Sequence, residues 1–310
     1  AGILKKEELP CRVISVGNIT AGGSGKTPMV IFLAKRLREK GLKVLVLSRG
    51  YKRKGRGVAA VSDGERTLVS PEEAGDEPYL MAERLIGVPV IVGKDRVISG
   101  LRAFERFSPD VIILDDGFQH IRLKRDIDIL LLDSKRWFGS GYLLPRGPLR
   151  EPLDGMKRAD IIMIKGGKAG HALEGVEKPC FGFVYRPAGL YDSDGRELDI
   201  KGLKGKRVSA LCAIANPDSF LETLKGCGAI VVSAINFPDH HWYAPADMER
   251  IRKEAGDAEL IVTTEKDYVR LKSRPIGGMP VVTLAIEVSL GKKERFLEII
   301  EEKLGKSQRE

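Results

Sequence analysis

Long apolar runs are missing from this sequence. No stretch of its 310 residues approaches the roughly 18 consecutive apolar residues of a membrane-spanning helix, which excludes a polytopic membrane protein. The opening residues, AGILKKEELP, contain no apolar secretion signal. Cysteine is scarce. Cys11, Cys180, Cys212 and Cys227 are widely spaced and form no CxxC pair, which argues against a thiolate zinc site and for a reducing compartment. Aromatic residues make up only 6% of the chain, with two Trp, and no basic segment is rich in them. Stacking on single-stranded nucleic acid therefore has little to work with, and no nucleic-acid partner is expected. No internal repeat of fixed period occurs. What is present is the balance of a globular protein: 43% hydrophobic, 31% charged, at a length suited to about two domains. The net charge of +9 favours an anionic partner, whether a nucleotide, a phosphorylated substrate or an acidic membrane surface.

The first half alternates strand and helix patterns. Short apolar runs at Arg12–Val16, Lys43–Leu47, Val88–Val92, Val111–Leu114, Asp128–Leu132 and Asp160–Ile164 lack polar alternation, as parallel strands covered on both faces do. Between the first two, Val30, Leu33, Ala34 and Leu37 fall at helical spacing, and Gly41 terminates the pattern. Such repetition predicts an α/β sheet with right-handed crossovers. After about residue 165 a Gly-rich stretch, GGKAGHALEGVEKP, interrupts the rhythm as a loop or exposed helix. The rhythm resumes at Arg207–Ala213, Ala229–Ala234 and Glu259–Thr263, and residues 292–304 read as an amphipathic helix. The expected organisation is a larger α/β lobe over 1–178, a smaller α/β lobe over 179–288 with linking strands near 180–185 and 281–288, and a C-terminal helix over 289–310.

The strongest chemical signal is GNITAGGSGKT, Gly17–Thr27, between a predicted strand and a predicted helix. A glycine-rich turn opening a helix presents backbone N–H groups and a helix N-terminus to phosphate. Thr20, Ala21, Gly22, Gly23, Ser24 and Gly25 would form the cradle, Lys26 would reach the β- and γ-phosphates, and the Thr27 hydroxyl would bind Mg²⁺. Thr20 stands where the usual P-loop spacing has its first glycine. The second signal is Asp115-Asp116-Gly117-Phe118-Gln119-His120 after an apolar run, where a P-loop fold places its magnesium carboxylate. A plain strand-end turn would look the same. Three further clusters carry weaker signals. In Glu72–Pro78, a carboxylate beside a hydroxyl acceptor can take its proton, although spacing alone does not nominate Asp76. The basic run Arg49, Lys52, Arg53, Lys54 and Arg56 precedes it. In Pro238-Asp239-His240-His241, an ordinary loop and a metal site are both open, and no third ligand lies at convincing spacing. Arg150 and Glu151 would serve phosphate and metal, or pair with each other. Thr263–Asp267 has a helix-capping pattern.

Together SVGNITAGGSGKTP, LSRGYKRK, EEAGDEPYLMA, DDGFQH followed by RDIDILLLD, LLPRGPLREP, FPDHH and TTEKD occur in an order that resembles the tetraacyldisaccharide 4'-kinases, the lipid A 4'-kinases of Gram-negative bacteria. Thr20 matches that family's GNxTxGGxGKT form. The resemblance implies two α/β lobes, a P-loop lobe and a smaller one, joined by a two-stranded linker. It implies transfer of the γ-phosphate of ATP, with Mg²⁺, to the 4'-hydroxyl of a tetraacylated glucosamine disaccharide 1-phosphate, a lipid A precursor. Carried over residue by residue, Asp76 is the catalytic base and His240 its dyad partner. Lys26 and Asp116 are catalytic too, Lys26 holding phosphate and Asp116 serving the metal–phosphate site. Thr27, Asp115, Gln119 and Glu151 fall at the metal, and Arg49, Glu77, Arg96 and Arg150 around the substrate. The location implied is the cytoplasmic face of the bacterial inner membrane. The family's usual N-terminal hydrophobic helix is missing from this sequence, so attraction through basic residues, screened by salt, is the expectation. A P-loop ATPase or GTPase driving a protein partner is the competing reading; it gives no reason for the Asp76 and His240 motifs.

Overall fold

A computed structural model describes residues 6–23, 25–167, 173, 175–271 and 276–306. The chain divides into two compact units, one of residues 1–184 with 288–310 and one of residues 185–287. The elements of the first unit begin with β1 (Arg12–Gly17), α1 (Lys26–Glu39), β2 (Val44–Ser48), β3 (Ala59–Ser62), α2 (Pro71–Ala74), α3 (Asp76–Arg84), β4 (Val90–Val92) and α4 (Arg96–Phe107). They continue with β5 (Val111–Asp115), β6 (Ile127–Asp133), β7 (Ile161–Lys165) and the start of β8 (Cys180–Tyr191). The second unit contains β9 (Glu197–Leu198), β10 (Arg207–Cys212), α5 (Pro217–Gly226), β11 (Ile230–Asn236), α6 (Pro245–Ala255), β12 (Leu260–Thr264), α7 (Glu265–Leu271) and most of β13 (Val281–Leu290). The final helix, α8 (Lys293–Lys306), belongs to the first unit.

The first unit is an α/β sheet in the order β8-β7-β6-β1-β5-β2-β4-β3. All its pairings are parallel except β3 on β4, which closes one edge. β2 and β5 are buried at every residue and β1 from Val13 onward, which is why their sequences run apolar without alternation. β1 lies between β5 and β6, with Val16 in register with Asp115. The chain leaves β1 towards β2 on one side, while β6 covers the other. The ends of β1 and β5 therefore border the crevice that forms where strand order reverses.

Helices seal the sheet. α1 buries Met29, Val30, Leu33, Ala34 and Leu37, and its last turn carries Arg36 and Arg38, which suit the negative end of the helix dipole. α4 is capped by Asp95, whose carboxylate accepts from the N–H groups of Val97 and Ile98 at 3.0 and 3.2 Å. It packs Val97 and Ala103 with Val13, Leu45, Leu47, Ile112 and Leu114. Each fully buried leucine there contributes about 1.5–3 kcal/mol of transfer free energy. Phe296 of α8 stacks edge-on against Phe181, with ring centroids 5.5 Å apart, and faces Phe32 of α1 at 6.4 Å.

The second unit repeats the principle on a smaller scale. β11, β10, β12 and β13 pair in parallel in that order. Phe220 and Leu224 of α5 pack with Val208, Ala210, Val262 and Leu284, and Ile251 of α6 packs with Leu211, Ile235 and Ile261. Thr264 opens α7 by capping: its hydroxyl accepts the Asp267 N–H at 3.1 Å and meets the Asp267 carboxylate at 2.6 Å.

Some elements escape the sequence pattern. α3 is short and highly charged, with Pro78 in its first turn, so its residues read as a surface loop; Gly75, at φ 89°, separates it from α2. β4 starts at Val90 rather than Val88. Of the Gly-rich stretch after residue 165, residues 168–172 and 174 lie outside the described residues.

Candidate active site

β1 ends at Gly17 and α1 begins at Lys26, so the glycine-rich turn lies between a strand end and a helix start, as its spacing predicts. Gly22 and Gly25 adopt φ 101° and 79°, the left-handed region that glycine alone enters without steric cost. Thr20 is not among the positive-φ residues. It pairs in an antiparallel bridge with Leu149, and the Ala21 N–H donates to the Pro148 carbonyl at 2.7 Å. Extended backbone at this position explains why a threonine serves where the usual spacing has glycine. Ser24 lies outside the described residues. Gly17 is needed for a different reason: a Cβ there would come within 2.6 Å of the Phe118 Cβ, so the turn after β5 closes directly over the end of β1.

Lys26 and Thr27 occupy the first turn of α1, with Thr27 buried. The Lys26 ammonium donates to Asn18 Oδ1 at 3.3 Å and lies 3.4 Å from Asp116 Oδ1. Asn18 in turn donates to the Thr20 carbonyl at 2.6 Å. Asn18 is a positioning residue that the sequence reading quoted within its motif but assigned no role. The two adjacent aspartates then separate. Asp116 has φ 52°, which turns its side chain away from that of Asp115. Arg150 Nη1 donates to both Asp116 oxygens at 2.9 Å. Burial pushes the Asp116 carboxyl up, but the Lys26 and Arg150 charges outweigh it and hold it below the ordinary aspartate range.

Asp115 is the opposite case. It is buried, its Oδ2 accepts from the Ser48 hydroxyl at 2.9 Å, and its Oδ1 has no hydrogen-bond partner. Burial, reinforced by the Glu77 and Asp116 charges, pushes its carboxyl up to about 7. An orphaned, desolvated carboxylate oxygen at the strand end beside the phosphate turn fits a divalent cation. Among the described residues, no group of three or more His, Cys, Asp or Glu could hold a metal alone. A magnesium ion here would take its remaining ligands from phosphate and water, as it does in nucleotide sites. The same result weighs against a metal at His240 and His241.

The raised Asp115 value predicts a pH effect on stability. Its folded value lies above the unfolded one, so its stabilising contribution is complete below about pH 4 and is lost as pH rises towards 7. Asp115→Asn removes that loss. Without nucleotide or magnesium, the variant should melt at a higher temperature than the parent chain at pH 8, and the gap should shrink at pH 5. Parallel melting curves at both pH values would show that Asp115 is not desolvated in this way.

Arg150 and Glu151 do not pair with each other. Arg150 goes to Asp116, whereas Glu151 accepts from Gln119 Nε2 at 2.8 Å and from Arg158 Nη2 at 2.7 Å. Gln119 also donates to the Asn18 carbonyl at 2.8 Å, which ties the turn after β5 to the phosphate loop. Asp76 is the first residue of α3 and is buried, and its Oδ1 accepts the Glu77 N–H at 3.0 Å. The basic run reaches this segment through the Lys54 N–H, which donates to the Glu72 carbonyl at 2.8 Å. Arg53 folds back onto the Gly57 carbonyl. Arg49 is exposed just after β2, but Arg96 is buried. Arg96 Nη1 donates to the Gly93 and Lys94 carbonyls at 2.8 and 3.1 Å, while its Nε has no partner. Burial lowers its pKa, opposed first by Asp115. Arg96 thus supplies positive charge from inside the protein, next to the aspartates. One unit therefore gathers Lys26, Asp116, Gln119, Arg150 and Glu151 by contact, and Asp115, Glu77 and Arg96 by their fields.

His240 lies in the second unit, at φ 63° after β11, with its N–H on the Ala213 carbonyl at 3.3 Å. Its Nε2 is 3.3 Å from the Lys266 ammonium, which also meets Asp239 at 3.2 Å. An ammonium has only protons to give, so at this contact Nε2 is the acceptor and Nδ1 is left as the ring's donor. Lys266, in the TTEKD motif, therefore sets the tautomer of His240. His241 is separately engaged with Asp247 at 2.8 Å.

A parallel sheet, a glycine turn opening a helix with Lys26 and Thr27, and two strand-end aspartates define a P-loop nucleoside triphosphate-binding protein. Comparison with known proteins narrows the class. The family described as LpxK, tetraacyldisaccharide-1-P 4'-kinase, matches residues 1–305, and this chain belongs to it. A tetraacyldisaccharide 4'-kinase of Syntrophus aciditrophicus is 46% identical, over 96% of this chain and 85% of the relative. One of Geobacter sulfurreducens is 41% identical, over 93% and 82%. A crystal structure of LpxK from Aquifex aeolicus in complex with ATP superposes with a TM-score of 0.77 at 39% identity, covering 97% of this chain and 91% of that one. Membership of a kinase family does not favour the reading as an ATPase that drives a protein partner.

Proposed function

We propose that this chain transfers the γ-phosphoryl group of ATP to the 4'-hydroxyl of a tetraacylated glucosamine disaccharide 1-phosphate at the cytoplasmic face of the inner membrane. The observation that carries the reading is the Lys26–Asp116–Arg150 cluster at the mouth of the glycine turn, in a chain of this kinase family. Among the described residues, no helix is long and apolar enough to cross a membrane.

Phosphoryl transfer demands positioning and charge neutralisation more than covalent chemistry. The glycine turn around Gly22, Gly23 and Gly25 cradles the phosphates through its backbone N–H groups, with Ala21 tied to Pro148 beside it, and Lys26 neutralises the γ-phosphate. Asp116, held by Arg150, keeps the Lys26 ammonium aimed at the mouth. Thr27, Asp115, Gln119 and Glu151 would hold Mg²⁺, Gln119 and Glu151 as a hydrogen-bonded pair. Bound there, it would neutralise phosphate charge. Asp76 takes the proton of the 4'-hydroxyl as its oxygen bonds to the γ-phosphorus, and the bond from that phosphorus to ADP breaks. His240 supports Asp76 in that proton transfer. Arg49 and Glu77 flank the acceptor, Arg49 drawing its anionic groups, while buried Arg96 adds positive charge from inside the protein.

Turnover of γ-labelled ATP with and without a tetraacyldisaccharide 1-phosphate acceptor tests the reading. Label should move to the lipid, and ADP release should depend on the acceptor. Equal ADP release in both cases, with no labelled lipid, would establish a hydrolase instead.

A further inference from the structure

We propose that the exposed loop 139–146 is the surface by which this chain seats on an anionic lipid bilayer. This rests on the lipid-kinase reading above and names the contact it leaves open. Every residue from Gly139 to Arg146 is exposed. Within it Tyr142, Leu143 and Leu144 are consecutive and 48%, 46% and 55% exposed, and Leu153 beyond Arg150 is 41% exposed. Among the described residues, no other three consecutive large apolar side chains are exposed together. Scattered exposed leucines are ordinary; an uninterrupted apolar tip marks a contact surface.

The tip is held in place. The Leu144 N–H donates to the Leu149 carbonyl at 2.8 Å, the Leu149 N–H to Tyr142 at 3.1 Å and the Gly147 N–H to Leu143 at 2.9 Å. With these backbone groups engaged, the leucines cannot turn inward without breaking the loop. Its inner end is the wall of the phosphate site: Leu149 bridges Thr20, Pro148 accepts from Ala21, and Arg150 grips Asp116. Whatever the tip rests on is thereby placed at a set distance from the reacting phosphate.

Charge identifies the occupant. Residues 135–158 hold six basic and two acidic side chains, and Lys135, Arg136 and Arg146 are exposed. The Arg146 guanidinium lies 3.9 Å from the Tyr142 ring centroid, so an aromatic ring and a cation share the rim of an apolar tip. Aromatic and basic residues around an apolar centre match the headgroup level of a membrane, with leucines reaching the acyl boundary. An acceptor carrying four acyl chains resides in such a layer. The apolar part of the contact is not screened by salt, so binding should be weakened by salt but not abolished, unlike the wholly screened attraction that the basic residues alone would give.

Vesicle flotation of the 310-residue chain tests this, using phosphatidylethanolamine–phosphatidylglycerol vesicles at about 0.1 M and about 1 M salt, where the Debye length falls from about 10 to about 3 Å. Binding should fall at high salt and persist in part. The triple variant Tyr142→Ser, Leu143→Ser, Leu144→Ser should lose about 100-fold in partitioning at both salts, with an unchanged circular dichroism spectrum and ATP affinity. Arg146→Gln should weaken binding at low salt only, and only where phosphatidylglycerol is present. A triple variant that floats like the parent chain overturns the proposal. So does a parent chain that self-associates in solution while the triple variant is monomeric and floats equally, since the tip is then a protein interface. Transfer to an acceptor in detergent micelles tests the kinase reading separately. Its absence in the parent chain would sink that reading and leave the flotation result intact.

Discussion

Lys26→Ala abolishes phosphoryl transfer, by at least about 10³-fold, and leaves the fold intact. The structure supports both halves of that expectation. Lys26 contributes charge at the mouth of the glycine turn and is not part of the apolar face of α1, which is built from Met29, Val30, Leu33 and Leu37. Its removal leaves Asp116 with two hydrogen bonds from Arg150 at 2.9 Å. The loss therefore falls on the transition state, where charge on the transferring phosphoryl group loses the ammonium at the mouth of the turn. Single-turnover transfer measured beside circular dichroism and thermal melting checks the prediction. Near-normal transfer by a folded Lys26→Ala variant would remove the P-loop assignment. Lys26→Arg should recover little, since a planar fork does not replace a compact ammonium in a turn of this size.

Asp76→Ala lowers kcat by about 10²–10⁴-fold, the usual worth of a general base, with ATP affinity largely retained. Asp76 is buried at the first position of α3, and its carboxylate accepts the N–H of its own neighbour Glu77. Asp76→Asn keeps that size and acceptor while removing the proton-accepting charge, so it should lose as much rate as the alanine variant. His240→Ala should lose less. Added to Asp76→Ala it should cost little more, because residues acting as one unit are not additive. Losses that multiply in the double variant would assign the two residues independent roles and discard the dyad. Lys266→Met offers a companion measurement. If Lys266 fixes the His240 tautomer, its loss should reshape the pH profile of kcat without changing the ATP affinity.

The sequence is informative where chemistry and local structure use adjacent residues. GGSGKT specifies a turn and a helix start by itself, because glycine φ freedom, helix N-terminal N–H groups and a lysine at fixed spacing are properties of one segment. The central strands are legible for a similar reason: burial on both faces leaves an uninterrupted apolar run. α3 was hidden, since its nine residues are charged outside and its buried set, Asp76, Pro78, Met81 and Ala82, does not look apolar as a string. Arg96 read as a substrate-facing cation, and only packing shows it buried with its guanidinium on backbone carbonyls.

Residue order alone determined the P-loop, the strand-end aspartates, the α/β class and a series of motifs specific enough to name a kinase family. Tertiary structure decided the division of labour within that list. Asp115 and Asp116 are neighbours in the chain, yet one is desolvated against Ser48 and the other is held by Lys26 and Arg150, because Asp116 itself adopts a left-handed backbone and the sheet brings β1, β2 and β5 side by side. Arg150 and Glu151, which could have paired together, instead reach Asp116 and Arg158. Partner choice among charges depends on distance and burial, and both are set by which strands lie adjacent in the sheet, a property that no local stretch of sequence carries.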